Sequence, residues 1–193
     1  RLNAALAQVA SEQRARARLE AVEAARLAEE AARLKEEAAR LETYRSEFFG
    51  RLRGLLAGQE GVRIVGDRFA FSSEVLFESA SAELAPGGRA QIADVVALLQ
   101  GIADEIPPEI DWILRVDGHT DDVPLLPSAD FRDNWELSQA RALSVVRYMI
   151  EELGFRPERL AAAGFGQYRP VDPANTPEAR AQNRRIELKL TER

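Results

Sequence analysis

Before Gly50 the chain contains neither proline nor glycine, and this limits its N-terminal part to one kind of structure. Alanine, glutamate, arginine and leucine dominate the run, and all four are strong helix formers. The composition predicts a continuous helix over residues 1–57, roughly 85 Å long at a rise of 1.5 Å per residue. Such an element is a rod or spacer, and we expect no chemistry from it.

Large apolar residues recur every seven positions along this run and outline a seam for helix pairing. The seam consists of Leu27, Leu34, Leu41, Phe48 and Leu55, with Ala31, Ala38 and Leu52 four residues after three of them. Alanine buries little area, and Arg45 interrupts the pattern. Glu–Arg pairs four residues apart, such as Glu29–Arg33 and Glu36–Arg40, would also support a single solvated helix. We favour a parallel dimeric coiled coil over that alternative.

Composition excludes several classes of function for these residues. The net charge of −6 argues against the clustered basic surface of a nucleic-acid-binding protein. The absence of cysteine excludes disulfides, thiolate metal sites and a cysteine nucleophile. No run approaches the roughly 20 apolar residues that span a bilayer. Since the chain begins at Arg1 in the middle of a helical pattern, we interpret it as a fragment, from which an upstream anchor or signal can be missing.

Strand and helix patterns alternate from residue 58 onwards. Residues 58–75 are interpreted as a linker with a short hairpin, and residues 76–193 as one globular domain. Two amphipathic helices are predicted, one from Pro86 to a stop at Pro107-Pro108 and one closed by Gly154. Apolar or alternating runs predict strands at 112–116, 160–164 and 186–190. The pattern indicates an α+β fold, a β/α/β/α/β sandwich with its helices on one face of the sheet.

The residues that follow the predicted strand 112–116 suggest a binding site. Asp121 lies in a turn after this strand, and Arg141 lies two turns into the next helix, which Asp133 or Asn134 can cap. A carboxylate and a guanidinium on separate rigid elements can bind a zwitterion, and the arginine contact can be bidentate and directional. Without a ligand, Asp121 would be a turn-forming residue and Arg141 a surface arginine with its stem packed on the sheet.

Four motifs follow one another in this half of the chain. They are Gly118-His119-Thr120-Asp121, the pattern Asn-x-x-Leu-Ser-x-x-Arg-Ala over residues 134–142, Gly164-Phe165-Gly166, and Asn183-Arg184-Arg185. With these motifs, residues 76–190 resemble the OmpA-like peptidoglycan-binding domain, and within that superfamily the periplasmic part of MotB-type stator proteins. The resemblance implies an OmpA-like fold and noncatalytic binding of peptidoglycan. It implies that Asp121 and Arg141 clamp the zwitterionic free end of diaminopimelate, and the further candidates at the site are Thr120, Asp122, Asn134 and Arg184.

The same resemblance implies a cellular setting. It implies a periplasmic location, a tether to the inner membrane upstream of Arg1, and association with a MotA/ExbB-like proton channel through that missing segment. The N-terminal helix would join two copies into a homodimer, and no cofactor is expected. The long alanine-rich rod is unlike the short linker of flagellar MotB, so the machine that the anchor serves stays open.

Two functions of other classes are weighed against wall binding. Asp117, Asp121, Asp122 or Glu136 could form the acid–base pair of a hydrolase, although no nucleophile with a base and no recognisable metal set accompanies them. Alternatively, the chain is a structural coiled-coil adaptor whose globular end binds protein.

Several conspicuous residues are expected to be structural. His119, the only histidine, is expected to hydrogen-bond within its turn and not to bind a metal. Arg185 is favoured as the structural member of the last arginine pair. Trp112 and Trp135 are expected to be packing residues.

Overall fold

The computed structural model describes residues 2–56, 61–78, 81–103, 106, 111–125 and 130–192. The chain divides into two compact units, Arg1–Glu47 and Phe48–Arg193. Helix α1 (Leu2–Leu56) confirms the long helix that the composition predicts. Within the described part of the chain, no helix is long and apolar enough to cross a bilayer.

The described side chains of the first unit are not buried within their own chain. From residue 11 to residue 44 every side chain is exposed except Leu41, which is half-buried. Leu27 and Leu34 of the seam keep 59% and 55% of their surface exposed. The seam side chains of Phe48, Leu52 and Leu55 lie outside the described side chains. Over residues 11–44 the helix therefore buries little side-chain surface within its own chain.

Five strands form one sheet in the second unit, in the order β1-β2-β5-β3-β4. They are β1 (Val62–Val65), β2 (Arg68–Ser72), β3 (Trp112–His119), β4 (Leu160–Gly164) and β5 (Arg185–Glu192). β3 and β4 are parallel, and the other three neighbouring pairs are antiparallel. The predicted hairpin is confirmed as β1–β2, and Gly66 in its turn has a positive φ of 63°. Both β3 and β5 are longer than the sequence pattern predicts.

The helices of this unit lie between the strands in sequence. They are α2 (Ser73–Leu76), α3 (Pro86–Ala103), α4 (Asn134–Glu151) and α5 (Pro177–Asn183), with a short 3-10 turn at Pro157–Arg159. Asp133 caps α4, because its carboxylate accepts a hydrogen bond from the backbone N–H of Glu136 at 2.9 Å. Gly154 follows α4 with a φ of 66°, as the sequence predicts. Pro107 and Pro108 lie outside the described residues.

Alternation along the strands separates an apolar face of the sheet from a charged one. The apolar face packs with α3 and α4 into one core, which includes Phe69, Phe71, Ile92, Val95, Leu114, Val116, Val145, Met149, Ile186 and Leu188. The charged residues of β2, β3 and β5 alternate with these and lie on the opposite face. This arrangement confirms the mixed α/β sandwich with a long helix before it.

Two glycines allow α4 to lie directly on the parallel strands. A Cβ atom on Gly118 of β3 would lie 2.1 Å from the Ser138 carbonyl oxygen, and one on Gly164 of β4 would lie 2.5 Å from the Gln139 nitrogen. The backbone of α4 therefore meets both strands near their carboxyl ends. Arg141, one turn further along α4, is thereby held beside the residues that follow β3.

Candidate functional site

Asp121 follows the carboxyl end of β3 and is buried. Its Oδ1 accepts a hydrogen bond from the Val123 N–H at 3.1 Å, and its Oδ2 accepts one from Nη1 of Arg184. The Asn134 side chain supports this turn by donating to the carbonyls of Asp121 and Val123 at 3.3 and 3.0 Å. It also donates to Oε1 of Gln167 at 2.9 Å. Asn134 therefore positions the turn of Asp121, while its neighbour Asp133 caps the helix.

Arg141 on α4 is buried, with 6% of its surface exposed. Its Cζ lies 5.1 Å from the centroid of the Phe77 ring, and its Nε donates to the Ser81 carbonyl at 2.8 Å. Among the described residues, neither terminal nitrogen has a hydrogen-bond partner and no carboxylate lies within 4.0 Å. Burial, together with the nearby charge of Arg184, lowers the pKa of Arg141 to about 10, and Asp121 only partly offsets this. Arg141 is thus a buried cation with unused donors.

Arg184 precedes β5 and connects two carboxylates. Its Nη1 donates to Asp121, while its Nε donates to Oε1 of Glu74 at 3.1 Å and its Nη2 donates to the same oxygen. Burial acts to lower the pKa of Arg184, but the hydrogen bonds to Asp121 and Glu74 outweigh it and raise the pKa. Among the described residues, the aspartate of the expected clamp is therefore bonded to Arg184 and not to Arg141.

The two remaining candidates differ in their surroundings. Thr120 is buried and its N–H donates to the Gly166 carbonyl at 2.9 Å, but its hydroxyl has no hydrogen-bond partner among the residues described. Asp122 is exposed and accepts a hydrogen bond from Nε of Arg180 on α5 at 2.9 Å. This bond lowers the pKa of the Asp122 carboxyl. The structure thus brings together Asp121, Arg141, Thr120 and Arg184, whereas Asp122 pairs with α5.

The cluster has the electrostatics of a receptor for a small charged group. Counting only bonds between described residues, Asp121 has two of its roughly four acceptor positions occupied, and Arg141 has four unused N–H donors on its terminal nitrogens. Their charges influence one another, yet no ion pair joins them in the described residues. A ligand with an ammonium and a carboxylate could satisfy both.

Comparison with known proteins identifies the family. Residues 76–184, more than half of the chain, match the family model described as "OmpA family". The chain belongs to the OmpA family. The match begins within α2 and ends at Arg184, so all the residues of the cluster except Glu74 lie inside it.

Individual relatives of this OmpA-family chain are wall anchors and motility proteins by name. Motility protein B of Bacillus subtilis is 36% identical over 78 residues, which cover 40% of this chain and 30% of that protein. A MotB-like protein from Desulfovibrio vulgaris has a solved structure that is 32% identical with a TM-score of 0.66, covering 80% of this chain and 95% of that one. The cell wall anchor of the T6SS from Pseudomonas aeruginosa is 26% identical with a TM-score of 0.59, over 75% and 96% of the two chains. The chain spans less than half the length of the curated motility proteins that it matches.

Each residue of the last family motif has its own task. Asn183 accepts hydrogen bonds from the N–H groups of Val171 and Asp172 and donates to the Asp172 carbonyl, which shapes the loop before α5. Arg184 donates a hydrogen bond to Asp121. Arg185 is buried and donates to Glu187 at 2.6 Å and to the Arg169 carbonyl at 3.0 Å. The structural role favoured for Arg185 is confirmed.

His119 differs from the expectation that it hydrogen-bonds within its turn. Its ring is buried and stacks on Phe165 with centroids 5.1 Å apart. Its Nε2 lies 3.7 Å from Oε2 of Glu187, which is beyond hydrogen-bond distance, and neither ring nitrogen has a partner among the described residues. Burial lowers the pKa of His119, and Glu187 only partly opposes this. Within the described ranges, no group of three or more His, Asp or Glu side chains is arranged to hold a metal.

The two tryptophans also differ from each other. Trp112 is buried and meets Phe155 edge to face at 6.4 Å, as expected of a packing residue. Trp135 is not a packing residue: 47% of its surface is exposed and its ring stacks on exposed Tyr168 at 5.3 Å. Trp135 is the second residue of α4. The buried side of this helix contains Asn134, Leu137 and Ser138, so Trp135 lies on the exposed side.

Sequence reasoning missed the residues that come to the site from α2 and the segment after it. Glu74, Phe77 and Ser81 contact the two arginines of the site, although each lies 60 or more residues from the arginine that it contacts. Glu74 is one of many exposed acids and precedes no motif, and Ser81 takes part through its backbone carbonyl. No local signal marks either position.

Proposed function

We propose that this domain binds peptidoglycan noncatalytically, through the zwitterionic free end of diaminopimelate in the stem peptide. Asp121 would accept the ammonium of this group, and Arg141 would donate two parallel hydrogen bonds to its carboxylate. Thr120, Asn134 and Arg184 would line or support the same site, and Asp122 would act at most as a secondary contact. The similarity to a solved structure named as a cell wall anchor supports this assignment.

The observation that carries the proposal is the state of Arg141. A buried guanidinium without a carboxylate partner is unfavourable, and its pKa is depressed accordingly. Buried arginines are normally paired, and among the described residues no group pairs with the terminal nitrogens of this one. A ligand carboxylate would pair with this guanidinium, and the remaining acceptor positions of Asp121 beside it would take an ammonium on the same ligand.

The wider setting is part of the proposal. The domain would lie in the periplasm, as do the MotB domains whose structures it resembles, and a segment upstream of Arg1 would tether it to the inner membrane. That segment would join a MotA/ExbB-like proton channel, so the chain would anchor a membrane complex to the wall. Two copies would pair through the heptad seam of α1, which supplies the exposed apolar stripe that pairing requires.

Co-sedimentation with purified peptidoglycan sacculi tests the proposal. The wild-type chain should pellet with sacculi, while Asp121→Ala and Arg141→Ala should stay soluble with unchanged circular dichroism. Each charge-assisted contact contributes about 1.5–3 kcal/mol, so each variant should lose roughly ten- to a hundred-fold in affinity for a diaminopimelate tripeptide.

A second acid–arginine pair provides matched controls. Asp111 and Arg159 form an ion pair of 3.1 Å at the opposite end of β3, and Asp111→Ala and Arg159→Ala should leave sedimentation unchanged. Failure of the folded wild-type chain to pellet would contradict the proposal. Release of soluble wall fragments during long incubation would contradict the noncatalytic role.

A further inference from the structure

We propose that Glu74 makes the site selective for a zwitterion over a simple carboxylate, an inference that rests on the proposed function. Glu74 would not touch the ligand. It would act through Arg184, by balancing the charge of that arginine so that Asp121 keeps its attraction for the ligand's ammonium.

The fold sets the position of Glu74 relative to Arg184. Strand β2 pairs with β5 up to Ser72 opposite Arg185, and α2 begins at the next residue. The Ser73 N–H donates to the Arg184 carbonyl at 3.0 Å. This main-chain bond places the first turn of α2 against residue 184. Two nitrogens of the Arg184 guanidinium then donate to one oxygen of Glu74, and the third donates to Asp121.

A count of charges shows what Glu74 contributes. With Glu74, the cluster holds two cations, Arg141 and Arg184, and two anions, Asp121 and Glu74, and is neutral overall. Without Glu74, the charge of Arg184 would be balanced by Asp121. The charge of Arg141 would then be unbalanced, and the cluster would carry one net positive charge. Such a site would still attract a carboxylate, but its attraction for an ammonium would be weaker. A neutral receptor with separated charges matches a zwitterion.

The sequence motifs do not account for this role. Glu74 lies two residues before the span that matches the family model, so the family assignment carries no role for it. The alternative is that Glu74 and Arg184 form an ordinary surface ion pair, which only holds α2 to the sheet. The side chain of Glu74 is 57% exposed, and surface pairs of this kind contribute little to stability. The two readings differ in what they predict for ligand selectivity.

The test compares two soluble tripeptides by calorimetry. One contains diaminopimelate and the other contains 2-aminopimelate, which keeps the distal carboxylate and lacks only the distal amino group. Wild type should bind the diaminopimelate peptide more tightly. In Glu74→Gln this preference should fall about two- to five-fold at low salt, because the removed charge is partly exposed. The reduction should shrink as ionic strength rises. Asp111→Asn, which also removes an arginine-paired carboxylate, should keep the wild-type preference.

The outcomes separate this inference from the proposed function. If wild type prefers diaminopimelate and Glu74→Gln keeps that preference, Glu74 is not a selector, although wall binding stands. Equal weakening for both peptides in Glu74→Gln would also overturn the inference and indicate a structural role. Equal affinity of wild type for both peptides would show that the site does not bind the distal ammonium, and this would overturn the inference. If wild type binds neither peptide, the proposed function itself fails.

Discussion

The side chain of Arg141 is unfavourable for the stability of the domain but is needed for the proposed binding. Its guanidinium packs on Phe77 and donates once to the Ser81 carbonyl, but its charge lies where water is largely excluded. Burial favours the neutral form and therefore lowers the pKa of Arg141. A residue selected for stability alone would not carry an unpaired charge at this position.

Replacing Arg141 by methionine should therefore separate the two properties. Arg141→Met keeps an unbranched chain on Phe77 and removes the buried charge, while the Ser81 carbonyl loses a donor worth about 1–3 kcal/mol. We expect the free energy of unfolding to be unchanged or to rise by about 1 kcal/mol. Urea unfolding measures this, and binding to sacculi should be lost. A loss of more than about 2 kcal/mol would mean that Arg141 is primarily structural.

His119 should make the domain less stable as the pH falls. Its folded-state pKa lies below the ordinary 6.5 because the ring is buried, so the unfolded chain binds the proton more readily. The contribution is complete above about pH 6.5 and is lost as pH falls from there towards the folded-state pKa. The groups around the ring are Glu187, Arg185 and Asp117, and the salt-bridged Glu187 should add a loss of the same sign below its ordinary pKa of 4.5.

Since His119 is the only histidine, its ring proton resonances can be followed by NMR without assignment. We expect a midpoint below 6.5 in the folded protein and near 6.5 in urea. A folded-state midpoint at or above 6.5 would show that the charge of Glu187 outweighs burial, and the sign of the stability change would then reverse.

At the scale of elements, the contact of α4 with two strands decides where the site forms. Because Gly118 and Gly164 have no Cβ atom, the backbone of α4 can occupy the space where those atoms would lie on β3 and β4. The Ser138 hydroxyl, which accepts a hydrogen bond from the Gly166 N–H at 2.9 Å, joins the same contact to the glycine turn after β4. Any displacement of α4 would move Arg141 and Asn134 together.

Gly118→Ala should consequently disturb both stability and binding. The new methyl group would meet the Ser138 carbonyl at 2.1 Å, and overpacking of this kind typically costs about 1–3 kcal/mol. Thermal unfolding and sacculus binding should both decline. The control is Gly101→Ala, because Gly101 lies in α3 with open space around its Cβ position. There we expect a gain of about 0.5–1 kcal/mol from helix propensity, and equal effects at the two glycines would contradict the close approach.

At the scale of the whole molecule, the helical unit should determine retention on the wall. Two charge-assisted contacts give modest affinity per site, whereas two linked sites on a polymeric lattice gain avidity. We expect removal of residues 1–57 to weaken retention on sacculi far more than binding to a soluble muropeptide. Equal losses in both would contradict the avidity argument.

Substitutions in the seam test the same idea without truncation. If the proposed dimer forms, lysine at Leu27 and Leu34 should convert it into monomers in analytical ultracentrifugation, because the two charged seams would then repel each other. Lysine at Ala32 and Ala39 places the same charges outside the seam and should leave the dimer intact. Monomeric wild type would favour the single solvated helix.

Local patterns predicted most elements of the fold and the main site residues. The long helix, the hairpin, α4 with its Gly154 stop and the strands at 160–164 and 186–190 all follow from periodicity and turn chemistry. Asp121 and Arg141 were recognisable because they lie in motifs of fixed spacing, and the structure places them near each other. Their contact with a ligand stays a prediction.

Long-range pairing decided what the sequence alone could not. Strand β5 lies between β2 and β3, and this order brings Arg184 to Asp121 and Glu74 to Arg184 across 63 and 110 residues of sequence. The same pairing buries His119 beside Glu187, and its ring stacks on Phe165. Hydrophobic period and capping act over one or two turns of chain, so a sequence by itself determines the elements and their apolar faces. The partner of a charged side chain depends on which elements become neighbours, and for this chain only the tertiary structure decided that.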